Sequence, residues 1–329
     1  MSNFTADPLL QVIDLTVQFR IPAESMLKRS RTLEAVSKVS FELGRGETLG
    51  VVGESGCGKS SLARGILGLV PVVAGNVNLD GRPLNGLSKD ALRNRRREAQ
   101  MIFQDPLASL NPRMTVGEII AEPLRVFEAG LSQPERRKRV EAMMERVGLG
   151  ANLVNRYPHE FSGGQCQRIG IARALILKPS LIICDEPVSA LDVSIQAQIV
   201  NLLMDIQGEL GLSMVFIAHD LSVVRHISHR IMVMYLGRVV EIGDTDSLCD
   251  DPVHPYTKAL IEAVPVPDPT IQQGAIRAPI SGDLPSPLDP PSGCAFRTRC
   301  PLADQRCASE APALSERSGR QVACHHAGR

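Results

Sequence analysis

The sequence predicts an α/β fold with a largely parallel sheet, and two observations carry that prediction. After residue 160, short apolar stretches of strand length alternate with longer stretches of helix length. Earlier in the chain, the short apolar strand from Glu47 to Val52 leads into a glycine-rich turn, and a helix begins at Lys59. Strands that alternate with helices indicate parallel pairing, because each helix returns the chain across the face of the sheet.

The part of the chain before residue 160 divides into strands and helices. Residues 9–19 and 36–43 are apolar-rich and partly alternating, which favours strands. Residues 88–100 have the amphipathic spacing of a helix. A second helix is expected to begin after a cap at Ser132 and to stop at Gly148, since serine is a preferred N-cap and glycine a preferred stop.

The part after residue 160 supplies the alternation itself. A helix is expected from Ser162 to about Leu177. The elements expected after it are, in order, the strand 180–186, the helix 194–211, the strand 213–220, the helix 221–228 and the strands 230–237 and 238–244.

Composition changes at residue 265. Residues 265–291 contain eight prolines, which argues against regular helix or central strand and indicates an extended linker. Four of the eight cysteines lie in the last 36 residues. The predicted organisation is therefore a main domain at 1–264, a proline-rich linker at 265–291 and a cysteine-rich extension at 292–329.

Charge and hydropathy exclude several classes of protein. The 36 basic residues balance the 36 acidic ones, so no global positive field attracts nucleic acid or an anionic membrane. The run from Arg93 to Arg97 is local, and we interpret it as a solvated helix face. The N-terminal stretch lacks the pattern of a signal peptide, and no window approaches the roughly 20 apolar residues of a membrane span. We expect a cytosolic protein without structural disulfides.

One motif predicts a phosphate-binding loop. The pattern G-x-x-x-x-G-K-[ST] is met between an apolar strand and a helix, which is the context that it requires. Its glycines let backbone N–H groups turn towards an anion, and the helix N-terminus adds partial positive charge. The lysine is expected at the β- and γ-phosphates and the last serine at Mg²⁺. The residues are Gly53, Glu54, Ser55, Gly56, Cys57, Gly58, Lys59 and Ser60, followed directly by Ser61.

Polar residues at the ends of three other apolar strands point to the same chemistry. Asp185 and Glu186 end one strand, where a nucleotidase places a Mg²⁺-holding carboxylate and a general base. His219 ends another and is expected at the γ-phosphate, because ligands lie at the carboxyl edge of open α/β sheets. Gln104 follows a third apolar strand, although a glutamine there says little by chemistry alone.

A second anion site is predicted about a hundred residues after the first. Ser162 is a predicted N-cap, and Gly163 and Gly164 leave backbone N–H groups free at a helix start, just before Gln165. Since one triphosphate is already enclosed by the first loop, a second donor set makes most sense facing an ATP held by another subunit. An ordinary glycine-containing helix start is the alternative.

These motifs, in this order and spacing, resemble the ATP-binding subunits of ABC transporters, and the resemblance covers nearly the whole chain. It is closer still to the dipeptide/oligopeptide permease subfamily, which the stretches GESGCGKS, SLNPRMTVGEII, RYPHEFSGGQ, DEPVSALDVSIQAQIVNLL, HPYTKAL and LPSPLDPPSGCAF resemble. The implied fold is a P-loop ABC cassette with a RecA-like core, an antiparallel β subdomain and a helical subdomain at about 105–178.

The resemblance also implies roles for single residues. The implied adenine-stacking aromatic is Phe19, where tyrosine is usual, and Phe161 stands where leucine is common before the signature. The implied nucleotide and Mg²⁺ roles are the Walker A loop at 53–61, the Mg²⁺-sensing Gln104, the signature Ser162, Gly163, Gly164 and Gln165, the Mg²⁺-holding Asp185 with Ser60, the base Glu186, the D-loop Asp192 and the switch His219. Every consensus catalytic position is filled, so a site competent for hydrolysis is expected.

The C-terminal cysteines are spaced Cys294-x5-Cys300-x6-Cys307-x16-Cys324. This spacing lacks the C-x2-C pairs of most structural zinc sites, and four thiolates in a cytosolic tail suit an iron–sulfur cluster. The tail resembles that of dipeptide-permease subunits that carry a 4Fe–4S cluster there. Zinc, assisted by His325 and His326, and unligated thiols are the alternatives.

The expected function is that of the ATPase subunit of an importer for dipeptides or oligopeptides. The implied partners are two transmembrane permease subunits, a second ATPase subunit that is identical or homologous, and a periplasmic or extracellular solute-binding protein, with no nucleic acid. The implied location is peripheral, on the cytoplasmic face of the inner membrane. A soluble ABC-type ATPase acting on ribosomes or DNA is the alternative, and glutathione and nickel chelates stay open as substrates.

Overall fold

A computed structural model describes residues 7–22, 30–264, 282–317 and 319–327 of the chain. The greater part of the predicted linker, residues 265–281, therefore lies outside the described residues. In chain order the elements are β1 (Leu10–Ile21), β2 (Arg31–Leu43), β3 (Thr48–Val52), α1 (Lys59–Ile66), β4 (Val72–Leu79), β5 (Arg82–Pro83), α2 (Lys89–Arg95), β6 (Ala99–Ile102), α3 (Val116–Phe127), α4 (Gln133–Arg146), α5 (Gly163–Leu175), β7 (Leu181–Asp185), α6 (Val193–Leu210), β8 (Ser213–Ile217), α7 (Leu221–Ile227), β9 (Arg230–Tyr235), β10 (Arg238–Asp244), α8 (Thr245–Asp250), α9 (Pro255–Glu262), α10 (Gln305–Ser309), β11 (Ser315–Arg317) and β12 (Arg320–Val322). None of the helices in these ranges has both the length and the hydropathy of a membrane-spanning segment.

The chain folds as two compact units. Of the described residues, the first comprises those within 1–42, 48–85 and 219–329, and the second comprises 43–47 and 86–218.

The first unit contains an antiparallel sheet of strand order β2-β1-β4-β5, in which Leu10 lies opposite Leu79 and Val12 opposite Val77. All four of these side chains are buried. The unit also contains β3, which pairs in parallel with β9, followed outwards by β10, β12 and β11 in antiparallel pairing. The cysteine-rich extension thus joins this unit through β12.

The second unit contains three parallel strands in the order β8-β7-β6. All residues of β7 and β8 are buried, as expected for parallel strands covered on both faces. Helices α3 to α6 belong to this unit, and each buries apolar side chains. The predicted cap at Ser132 is confirmed, since its hydroxyl accepts from the Glu135 N–H. The helix ends at Arg146, and Gly148 follows with a φ of 75°.

The helix predicted over residues 88–100 was wrong in its last part. Helix α2 ends at Arg95, and Ala99–Ile102 forms β6, paired with β7. The arginine run is also less solvated than predicted: the Arg95 side chain is 12% exposed and pairs with Glu98. Residues 99–102 form a strand because they pair with β7 and are largely buried there. The amphipathic pattern alone did not distinguish this strand from the last turn of a helix.

Candidate functional site

The predicted phosphate loop lies in the first unit, between β3 and α1. Gly58 is the N-cap of α1 with a φ of 104°, and a Cβ there would lie 2.1 Å from the Ala35 carbonyl oxygen. A side chain at Gly53 would lie 2.2 Å from the Met234 carbonyl oxygen. Both positions therefore require glycine, which explains how the backbone approaches its neighbours so closely.

The lysine of this loop is held against the loop itself. Lys59 is buried, and its Nζ donates to the carbonyl oxygens of Gly53 at 2.7 Å and Glu54 at 3.1 Å. Cys57 is buried as well, and burial raises the pKa of its thiol. Its carbonyl oxygen accepts from the Gly237 N–H at 2.8 Å. The Lys59 ammonium is thus held by carbonyl oxygens of its own loop.

Glu54, the second residue of the loop, is fixed from two directions. Its N–H donates to the Tyr256 hydroxyl at 2.9 Å. Its carboxylate accepts two hydrogen bonds from Arg299, at 2.6 and 2.9 Å. Sequence reasoning missed Tyr256 and Arg299, because no local pattern shows that residues more than 200 positions away meet this loop.

Two further predicted residues belong to the first unit. Phe19 is a partly exposed residue near the end of β1. His219 is exposed and lies two residues after β8, directly before Asp220, which caps α7 by accepting from the Ser222 N–H at 2.8 Å.

In the second unit, the carboxylates predicted at the end of β7 differ in environment. Asp185 is 1% exposed, whereas Glu186 is partly exposed. The Glu186 N–H donates to the Ile217 carbonyl oxygen at 3.0 Å, which ties the residue to the end of β8. The Gln104 side-chain amide donates to the Glu186 carboxylate at 2.8 Å. The structure therefore brings together two residues that the sequence singled out separately.

The predicted second anion site forms the start of α5. Ser162 and Gln165 make a reciprocal capping box: the Ser162 hydroxyl accepts from the Gln165 N–H at 3.4 Å, and the Gln165 amide oxygen accepts from the Ser162 N–H at 3.0 Å. The predicted cap is thus confirmed. Gly163 and Gly164 occupy the first turn, where backbone N–H groups have no acceptor within the helix. Ser162 and Gly163 are exposed, so an anion has access.

Asp192 lies at the N-cap position of α6 but makes no capping hydrogen bond through its side chain. It is exposed, and the next residue, Val193, is 81% exposed. A carboxylate and an apolar side chain are therefore both presented outwards at this helix start.

The cysteine-rich extension brings its thiols near one another. The Cys294 N–H donates to the Cys307 carbonyl oxygen at 2.8 Å. The pKa of the Cys300 thiol is raised by burial first and then by the nearby thiols of Cys324 and Cys307. Cys307 Sγ lies 3.6 Å from His326 Nε2. Ligand atoms of Asp304, Cys307 and His326 lie within 4.8 Å of one another, and no other such group occurs in the described ranges.

Residues 36–189 match the family described as ABC transporter, and residues 240–307 match the one described as oligopeptide/dipeptide transporter, C-terminal region. The chain is 59% identical to the oligopeptide transport ATP-binding protein OppF of Escherichia coli (strain K12), over 96% of this chain and 95% of that protein. The chain belongs to the ATP-binding proteins of oligopeptide ABC transporters.

Other similarities agree with this family. The chain is 50% identical to the di/tripeptide transport ATP-binding protein DppF of Pseudomonas aeruginosa (strain UCBPP-PA14), over 98% of each chain. Among solved structures, the ATP-binding cassette MJ0796, a dimer in a post-hydrolysis state bound to ADP and Pi, is similar with a TM-score of 0.64 at 30% identity, over 72% of this chain and 98% of that one. The ABC cassette fold predicted from the sequence is thereby confirmed.

Proposed function

We propose that this ABC ATP-binding protein hydrolyses ATP to drive the import of dipeptides or oligopeptides through two transmembrane permease subunits. The observation that carries the proposal is the 59% identity to an oligopeptide transport ATP-binding protein, which spans nearly the full length of both chains. Every consensus catalytic position is filled in this sequence, which supports a hydrolytically competent subunit.

Nucleotide binding is assigned first to the phosphate loop. The backbone N–H groups of residues 53–61 bind the phosphates, and Lys59 exchanges its contacts with the Gly53 and Glu54 carbonyl oxygens for phosphate oxygens. Phe19 stacks on adenine. Mg²⁺, when bound, neutralises charge on the β- and γ-phosphates, and oxygen-bearing side chains of Ser60, Gln104 and Asp185 are suitable ligands for it.

Hydrolysis is assigned to Glu186, with Gln104 and His219 as its helpers. The Glu186 carboxylate accepts a proton from the attacking water as general base. The Gln104 amide, 2.8 Å from that carboxylate, orients it. His219 contacts the γ-phosphate. Because Gln104 is also exposed, it is placed to relay the state of the site to a permease subunit.

The signature residues are assigned to a neighbouring subunit's ATP. The backbone N–H groups of Gly163 and Gly164 have no acceptor within α5, at a helix start that Ser162 and Gln165 cap reciprocally. Asp192 presents its carboxylate outwards at the start of α6. The dimeric MJ0796 cassette supports a paired arrangement. We assign this protein to a pair of identical or homologous ATPase subunits on the cytoplasmic face of the membrane, supplied by a solute-binding protein and without nucleic acid.

For the extension, we propose a 4Fe–4S cluster on Cys294, Cys300, Cys307 and Cys324. The four thiols lie close enough to interact electrostatically, and burial raises the pKa of Cys294, Cys300 and Cys324. Ionised thiolates at these positions therefore need a bound cation beside them. The four thiols lie further apart than the ligand atoms of Asp304, Cys307 and His326. A wider spacing fits a four-iron cluster, because such a cluster is larger than a single metal ion. The main domain 1–264, linker 265–291 and extension 292–329 stay our proposed division.

The base assignment predicts the effect of Glu186→Gln. This variant is expected to bind ATP as the wild type does and to lose at least about 100-fold in turnover, since amide nitrogen cannot accept the proton. ATP binding by fluorescence titration and phosphate release by purified protein measure the two quantities. Glu209→Gln, at an exposed glutamate of α6, is the matched control with unchanged turnover. Wild-type-like hydrolysis by Glu186→Gln contradicts the assignment.

The cluster assignment predicts the effect of Cys300→Ser. Protein purified without oxygen is expected to contain about four irons and four sulfides per chain, and Cys300→Ser to lose most of both. Cys249→Ala, at a buried cysteine of α8 in the same unit, is expected to retain them. If the purified wild-type protein contains zinc in place of iron, and His326→Ala loses that zinc, a mononuclear site at Asp304, Cys307 and His326 replaces the cluster assignment.

A further inference from the structure

A buried arginine of the cysteine-rich extension reaches the phosphate loop. The Arg299 side chain is only 6% exposed, and its two terminal nitrogens donate to the two oxygens of the Glu54 carboxylate at 2.6 and 2.9 Å. This is a two-pronged, charge-assisted pair, the geometry in which the planar guanidinium binds a carboxylate most firmly. All of these residues lie within the first unit.

The arginine is itself held in place by aromatic side chains. Its guanidinium carbon lies 5.9 Å from the centre of the Tyr235 ring. Phe296, three residues earlier in the extension, is buried and packs 5.3 Å, centre to centre, from both Tyr235 and Tyr256. Tyr256 in turn accepts from the Glu54 N–H. Glu54 is therefore held through its backbone by one member of this cluster and through its side chain by the arginine beside it.

The position of Arg299 also depends on the cysteine-bearing turn. Its N–H donates to the Phe296 carbonyl oxygen at 3.0 Å, and the Arg297 N–H donates to the Cys294 carbonyl oxygen at 3.1 Å. Arg299 directly precedes Cys300. A change in the fold of this turn therefore moves the guanidinium.

At the other end of the contact, Glu54 belongs to the loop that encloses Lys59. The Lys59 ammonium donates to the Glu54 carbonyl oxygen at 3.1 Å. A carboxylate within this anion-binding loop repels a triphosphate unless a cation neutralises it. Arg299 supplies that cation and restrains the loop at the same time.

We propose that Arg299 is a positioning residue for nucleotide binding: it neutralises Glu54 and fixes the phosphate loop, so that the folded extension raises the affinity of the loop for ATP. The proposal rests on ATP binding by this loop, as assigned under Proposed function. It assigns to the extension a role in the nucleotide site rather than in its own stability alone.

The test compares Arg299→Met in two backgrounds. In wild-type protein, Arg299→Met is expected to weaken binding of a fluorescent ATP analogue about three- to tenfold. The reason is that the Glu54 carboxylate then has no cation beside it and its side chain is no longer restrained. In the Glu54→Gln background the same change is expected to have an effect at least about threefold smaller. KM for ATP follows the binding constant, while kcat at saturating ATP stays within about twofold.

The controls separate positioning from folding. Arg306→Met, which removes an exposed arginine paired with Glu310 at 3.1 Å in the same extension, is expected to change neither binding nor melting temperature. Iron content of Arg299→Met is measured to show that the extension is intact. If Arg299→Met does not fold, Arg299→Lys keeps the charge without the two-pronged bond, and its binding constant is expected to fall between wild type and the predicted loss.

Two results overturn the proposal, and a third overturns its premise. Unchanged ATP affinity in folded Arg299 variants shows that the pair does not position the loop. An equal loss in the wild-type and Glu54→Gln backgrounds shows that Arg299 does not act through Glu54. Failure of the wild-type protein to bind ATP at all refutes instead the proposed function, and is distinguishable because it does not depend on Arg299.

Discussion

Glu186 combines a strained backbone with a directed side chain. Its φ of 49° lies in the left-handed region, which for a residue other than glycine costs about 1–3 kcal/mol. The strain is held by the hydrogen bond from its N–H to Ile217, and Gln104 donates to its carboxylate. The adjacent Asp185 does not have a positive φ, and its side chain is buried. At the scale of the residue, these two neighbouring carboxylates are thus differentiated by backbone conformation and exposure, in agreement with the separate roles proposed for them.

At the scale of the element, α5 and α6 meet through a glycine of the signature. A Cβ at Gly164 would lie 2.5 Å from Cγ2 of Ile195, which is on the first turn of α6. At Gly163 the nearest atom would be Leu191 Cδ2 at 3.5 Å, an ordinary contact. Of the two glycines, therefore, only Gly164 lets the helix starts that carry the signature and Asp192 come this close.

This difference in contact distance predicts different effects of two alanine substitutions on the stability of the protein. Gly164→Ala is expected to destabilise the protein by about 1–3 kcal/mol, because the β-branched Ile195 cannot withdraw its methyl group without a shift of the helix. Gly163→Ala is the matched control and is expected to leave stability within about 1 kcal/mol of wild type, since alanine also has the higher helix propensity. Urea denaturation followed by circular dichroism measures both. Equal stabilities of the two variants would contradict the contact.

At the scale of the whole molecule, the extension is bound into the first unit by buried charge. Glu241 of β10 is fully buried, and its two oxygens accept from the N–H groups of Val253 and His254 at 3.0 and 2.9 Å. The Arg320 guanidinium of β12 lies 3.5 Å from the same carboxylate. Removing Arg320 leaves the buried Glu241 carboxylate without its cation, so this contact specifies where the extension pairs.

The sequence predicts local structure well and long-range pairing poorly. The alternating elements after residue 160 and the caps at Ser132 and Ser162 were predictable, because periodicity and capping chemistry are local. Strands β4, β11 and β12 were not, since their existence depends on partners far along the chain. The contact between Arg299 and Glu54 spans 245 positions and could not be predicted from either residue. The candidate site residues were found from their motifs, whereas the residues that hold them were not.

One buried histidine makes the stability of the first unit sensitive to acid. His254 is 2% exposed, and burial lowers its pKa to about 3 from the ordinary value of 6.5. Its Nδ1 accepts from the Tyr256 N–H at 3.0 Å as the cap of α9, which only the neutral ring can do. The unfolded chain binds a proton below about pH 6.5 and the folded chain does not until about pH 3, so this contribution to stability is complete above pH 6.5 and is lost as the pH falls through that window.

The expected loss from His254 between pH 7 and pH 5 is about 2 kcal/mol in the free energy of unfolding. His254→Asn keeps an acceptor for the Tyr256 N–H but does not titrate, so its stability is expected to fall by about 2 kcal/mol less over the same interval. His226→Asn, at an exposed histidine of α7, is the matched control and is expected to keep the wild-type dependence on pH. Urea midpoints at half-unit steps of pH measure the slopes. The test is the difference between the slopes of stability against pH, because a cavity left by the smaller side chain shifts the midpoints at every pH alike. If the slope of His254→Asn is parallel to that of the wild type, this ring does not control acid stability.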